Sequence, residues 1–188
     1  MTVEDMKVLE ADLEREELEA AIGTPLQAQK YTQLLAIYLY HNDLCNAKML
    51  WKRIPEAVKL ADEELNAVWR IGQRMWQRDF YLMHLALAQT DSWTEPVAPI
   101  MDALKGQVRS RALELIGSAY SSITIESLAR LLGETPAQAV ASAASQPGWQ
   151  IVEGNMVLPK KPAPAPGPPL TSEDQLDKLT EFVSFLEN

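Results

Sequence analysis

The chain has 188 residues, 47% apolar and 23% charged, a balance that suits a globular protein of one ordinary domain or two small ones sharing a core rather than a disordered chain. A formal net charge of −9 repels nucleic acid phosphates and anionic lipid wherever no local basic patch overrides it. The one cysteine, Cys45, excludes an internal disulfide, fits a reducing compartment and is expected to be a small core residue.

Met1-Thr-Val-Glu-Asp-Met-Lys has neither a basic segment nor an apolar one, so no signal peptide is expected there. No apolar run approaches the roughly 20 residues that cross a bilayer. Cytoplasm and nucleus are the expected compartments. Val8, Leu9, Asp12, Leu13 and Glu16 predict a charged amphipathic helix ending near Gly23. Thr24-Pro25 restarts the chain, with Thr as N-cap and Pro at the first helical position. Leu34, Leu35, Tyr38 and Leu39 lie at helical spacing, and His41-Asn42-Asp43 breaks that helix. Leu44, Ala47, Leu50, Trp51 and Ile54 share the face of a third, closed or kinked at Pro55.

Asp62 can cap a helix whose stripe is Leu65, Val68, Trp69, Gly72, Met75 and Trp76. Asp79 opens a shorter one through Leu82, Leu85 and Ala86, and another begins after Asp91-Ser92-Trp93. Short helix pairs with small residues between large ones resemble a helical-repeat solenoid. The organisation changes near residue 106. Val108, Ala112, Leu115, Ile116 and Tyr120 predict one helix, and Thr124 caps a second carrying Leu128, Leu131 and Leu132. Gly133 closes that helix, as a residue free to adopt positive φ. Pro136 starts a third helix with Ala139, Val140 and Ala143. The alternating runs 148–152 and 155–158 flank Glu153-Gly154 and read as a hairpin. Three helices followed by a hairpin is the order of a winged helix. Lys160-Lys-Pro-Ala-Pro-Ala-Pro-Gly-Pro-Pro169 favours an extended spacer. A last helix starts at Thr171 or Ser172, with Glu173 and Asp174 in its first turn and Leu176, Leu179, Phe182, Val183 and Leu186 on one stripe.

The residues that carry chemistry are sparse. His41 and His84 belong to no metal-binding pattern: His41 reads as a helix end, His84 as a helix-surface residue. Gly72, Gly106 and Gly117 are isolated in helical patterns, and no phosphate loop or Gly-x-Ser-x-Gly is present. Glu14, Glu16, Glu17 and Glu19 form an acidic helix surface. Neither an enzyme nor a cofactor is expected. A DNA-reading winged helix needs Arg, Lys, Asn or Gln on its third helix. Residues 135–146 contain no Lys or Arg and offer only Gln138, Ser142 and Ser145 outward, with Glu134 at the entrance and Arg109 and Arg111 on the preceding helix. Pro166-Gly-Pro-Pro169 is a P-x-x-P without a flanking basic residue, so a spacer fits better than an SH3 or WW ligand.

The segments HNDLCNAKMLWKRIP, VWRIGQRMWQRDF, SAYSSITIESLARLLG, GWQ, MVLP and LTEFVSFLEN, in this order from about Tyr31 to the last residue, resemble the PCI-domain family, and within it the COP-nine signalosome branch. Related subunits occur in the proteasome lid and in initiation factor three. The resemblance implies a mainly α fold: a PCI-type helical-repeat bundle over 1–105, a winged helix with a small β-hairpin over 106–159, a Pro-rich linker over 160–171 and a detached C-terminal helix over 172–188. It implies a non-catalytic structural subunit that supports cullin deneddylation and so regulates cullin-RING ubiquitin ligases. The hydrolytic zinc would lie in another subunit. The partners it implies are other signalosome subunits: subunit three through the winged helix, and a shared helical bundle through the C-terminal helix. The partner-binding residues expected are Leu176, Leu179, Phe182, Val183 and Leu186, with Val157 and Leu158 on a hairpin edge able to pair with a neighbour's sheet. The open alternatives are a lid or initiation-factor subunit of the same architecture and a DNA-binding winged helix.

Overall fold

The computed structural model describes residues 3–20, 27–89, 93–152, 155–160 and 172–187. Helix α1 (Val3–Ala20) buries Met6, Leu13 and Glu17 while Val8 and Leu18 face outward. Helix α2 (Ala28–His41) is apolar on nearly every side, and residues 34–39 are all buried, as befits the central helix of a bundle. It ends where Asn42 turns left-handed at φ 62°, and the Asp43 side chain then accepts the Asn46 N–H to start α3 (Leu44–Arg53). A short helix that the sequence pattern did not announce, α4 (Glu56–Ala61), follows Pro55. Asp62 and Asp79 each accept a backbone N–H, from Leu65 and Leu82, at the starts of α5 (Glu63–Trp76) and α6 (Phe80–Gln89). The Thr24-Pro25 restart lies outside the described residues.

Helix α2 packs against α1, α3, α5 and the long α7 (Ala98–Ala119), and one core runs through all of them. Within it the indoles of Trp51 and Trp69 stack 4.8 Å apart at an interplanar angle of 7°. Two expectations fail here, those for Trp76 and Cys45. Trp76, placed on the same stripe as Trp69, is half-exposed beside the α2–α3 corner, with the Lys48 ammonium 4.6 Å from its ring centre. On α6 the buried pair is Met83 and Leu87, and Leu85 faces outward. Cys45 is exposed, because α3 turns Ala47 and Leu50 inward instead.

Helix α7 runs through residue 106 without a break. Its Ile100, Met101, Leu104 and Val108 belong to the first core, and its Ala112 and Ile116 to a second. The second core is closed by β1 (Ile123–Thr124), α8 (Ile125–Leu132), α9 (Pro136–Ala144), β2 (Gln150–Val152) and β3 (Met156–Leu158). Thr124 caps α8, and Thr135 with Gln138 forms a reciprocal capping box on α9. The strands form an antiparallel sheet in the order β1-β3-β2, with Val157 opposite both Ile123 and Ile151. The fold is mainly helical with this one small sheet. Helix α10 (Ser172–Glu187) follows, and the Pro-rich segment 161–170 lies outside the described residues.

The two cores meet where α6 packs on α8. His84 Nε2 lies 3.0 Å from the Leu131 carbonyl oxygen, so His84 sits in a seam rather than on a surface. Gly133 ends α8 at φ 64°, and a Cβ there would stand 2.3 Å from His84 Cγ. Helix α1 is tied down by polar contacts. The Tyr38 hydroxyl donates to Glu14 at 2.7 Å, and Arg53 forks onto both oxygens of Glu17 at 2.7 Å each.

Candidate protein-interaction site

The alternation of apolar and charged residues in α10 places Leu176, Leu179, Phe182, Val183 and Leu186 on one stripe, with Asp177, Lys178 and Glu181 beyond it. All five side chains are open to water, from 52% exposed at Val183 to 70% at Leu186. Phe185, on the flank of the stripe three residues after Phe182, is the most exposed of them all at 78%. Its aromatic ring was the signal that a strict one-stripe reading passed over. A helix of this length is marginal without packing, and a contiguous apolar face of this kind is a candidate interaction surface.

The hairpin is arranged differently from the expectation. Val157 is fully buried, and its strand β3 is flanked on both sides, so β3 is no edge. The reason is β1, a two-residue strand too short to read from periodicity, which fills the side that the sequence left open. Leu158 is half-buried opposite Gln150. Among the described residues the outer strand of the hairpin is β2, where Ile151 and Val152 are exposed.

Charge around the second core is not that of a groove-reading helix. Nowhere does α9 carry Lys or Arg. Glu134, at its entrance, accepts the Ser142 hydroxyl at 2.8 Å and lies 3.5 Å from Arg109 Nε. Arg111 is turned the other way, onto the Tyr40 carbonyl. Burial pushes the His84 imidazole below its ordinary range, a cost only partly offset by its bond to Leu131. His41 does end α2, with Nε2 3.4 Å from Glu10, whose carboxyl is raised by burial. Among the described residues no group of His, Cys, Asp and Glu is placed to hold a metal ion, and no helix is long and apolar enough to cross a membrane.

Residues 25–168 match the model of the CSN8/PSMD8/EIF3K family. The chain is similar to COP9 signalosome complex subunit 8 of Danio rerio, 45% identical over 187 residues that cover 98% of this chain and 95% of that one. The Xenopus tropicalis protein of the same name is 43% identical, over 96% of this chain and 92% of its own. The one from Arabidopsis thaliana is 32% identical, over 80% and 76%. The family match begins before α2 and takes in both cores apart from Leu13 of α1, and the animal relatives extend it over nearly the whole chain. On this match and these identities, the chain belongs to the CSN8/PSMD8/EIF3K family.

Proposed function

We propose that this chain is a non-catalytic structural subunit of the COP9 signalosome, supporting the complex that deneddylates cullins and so regulates cullin-RING ubiquitin ligases. The observation that carries the reading is the solvent-facing stripe of α10 in a chain so similar to subunit 8 of animal and plant signalosomes. Burying a large apolar side chain contributes about 1.5–3 kcal/mol, so the stripe can supply much of an association free energy. The acidic surface and the absence of basic residues on α9 favour protein partners over DNA. In this reading α10 enters a helical bundle shared with other subunits. The helical region, residues 1–105, and the winged-helix region, residues 106–159, act as two joined units, and the second meets a neighbour such as subunit three. Strand addition there runs along β2, with Ile151 and Val152 taking the role expected of Val157. Cytoplasm and nucleus remain the compartments proposed.

Leu179→Asp with Phe182→Asp tests this. Both side chains are more than 60% exposed, so the melting temperature of the isolated chain should move by less than about 2 °C. Affinity capture of the tagged double variant from cells should recover at least tenfold less of the other signalosome subunits than capture of the parent chain. Full recovery would overturn the docking role of the stripe, and full recovery with a collapse of the melting temperature would mean that the stripe serves this chain's own fold.

A further inference from the structure

Between the α5–α6 turn and α7 lies a cavity of about 220 Å³, smaller than a typical cofactor site and suited to one large side chain. Met75, Phe80, Met83, Val108 and Leu115 make it apolar. Three arginines line it as well: Arg74, Arg78 and Arg111. In a chain of net charge −9, none of the three has a carboxylate within ion-pair distance among the described residues. Arg74 Nη1 donates to Gln77 Oε1 at 3.0 Å, and Arg111 Nη2 donates to the Tyr40 carbonyl. Arg111 Nη1 is buried with no acceptor. Asp79 also lines the cavity, but one of its oxygens already accepts the Leu82 N–H at 3.0 Å. Asn42 completes the polar lining.

The backbone adds an independent sign. Arg78 sits at φ 59°, where the chain leaves α5 and where glycine or asparagine avoids the roughly 1–2 kcal/mol that a side chain costs in that conformation. An exposed arginine is held there at the mouth of an apolar cavity, with no side-chain partner among the described residues. Unmatched cations beside an apolar floor complement a carboxylate next to a bulky apolar side chain, and a guanidinium can grip a carboxylate with two parallel hydrogen bonds.

We propose that this cavity docks an acidic–apolar segment of a partner protein, its large side chain on Met75 and Met83 and its neighbouring Asp or Glu against the exposed Arg78. The site is separate from α10 and β2, so it stands or falls independently of the function proposed above.

The test is an NMR titration of the full chain with acetyl-Glu-Phe-Asp-amide, read at the Met75 and Met83 methyls and the Arg78 amide. Saturable shifts are expected there, with acetyl-Gln-Phe-Asn-amide at least tenfold weaker. Arg111 braces Tyr40, so its replacement perturbs the fold. Arg78→Gln leaves every described contact intact and should weaken the acidic peptide at least threefold. Equal binding of the neutral peptide, no saturable shift, no loss in Arg78→Gln, or shifts confined to Trp76 and Leu39 would each overturn the proposal. So would inorganic phosphate reproducing the same shifts at the same concentration, which would mean a bare cation cluster.

Discussion

At the scale of single residues, Gly133 has little freedom to change. It is held at φ 64°, and His84 occupies the space where a Cβ would go. The two demands add: a left-handed residue costs roughly 1–2 kcal/mol and an overpacked contact about 1–3 kcal/mol. Gly133→Ala should therefore destabilise the chain by about 2–5 kcal/mol in urea unfolding. A loss under about 0.5 kcal/mol would show that the α6–α8 seam yields. Half of this was legible in the sequence. A glycine closing an apolar helical run announces positive φ, but the contact with His84 spans 49 residues of chain and no local pattern encodes it. Cys45 shows the same limit. A small apolar-like residue beside Leu44 reads as core, yet only the direction from which α2 and α5 approach decides that Ala47 and Leu50 turn inward and Cys45 outward.

At the scale of elements, capping was legible in the sequence at Asp62 and Thr124, and Asp79 as a helix start, whereas Asp43 read as a break. Asp43, Asp62, Asp79, Thr124 and Thr135 each accept a backbone N–H where their helices begin, because the rule is a local one: a short polar side chain satisfies a donor that the helix leaves free. Face assignment at helix ends was less legible. Trp69 and Trp76 are seven residues apart and share a stripe by angle, yet Trp76 is the last residue of α5 and stands beside the corner between α2 and α3. Trp69 instead lies flat on Trp51. Trp69→Ala should cost about 2–3 kcal/mol and Trp76→Ala less than about 1 kcal/mol in chemical denaturation. Equal losses would put Trp76 in the folded core. Strands of two or three residues were the least legible elements. The hairpin was visible as alternation, but β1 has too few residues to alternate, and its omission is what made β3 look like an edge.

At the scale of the molecule, the two cores are coupled twice: by the α6–α8 seam and by α7, which passes from one into the other. The sequence pattern places a change of organisation near Gly106, although that glycine itself lies in a helical pattern. It is a helical residue in open space, with nothing within 4 Å of where a Cβ would stand. Gly106→Ala should raise stability by about 0.5–1 kcal/mol, and Gly106→Pro should lower it by about 3 kcal/mol. Hydrogen exchange on the proline variant should show α9 opening without α2, whereas in the parent chain the two should open together. Joint opening in the variant would mean that the seam alone joins the cores. The candidate interaction surface was only partly legible at this scale. The α10 stripe reads directly from spacing, whereas the arginine-lined cavity draws on α5, α6 and α7 at once and has no signature in the linear sequence.

The 22 residues of α7 also set a phase. At about 1.5 Å and 100° per residue, the helix is a shaft of roughly 33 Å whose length and rotation are locked together. One residue inserted near 106 would swing everything beyond it by about 100°. Seven residues, close to two full turns, would restore the heading but lengthen the shaft by about 10 Å, which alone would part His84 from the Leu131 carbonyl. The α6–α8 seam therefore fixes both the length and the phase of α7, and the angle between the two cores is built into the covalent chain.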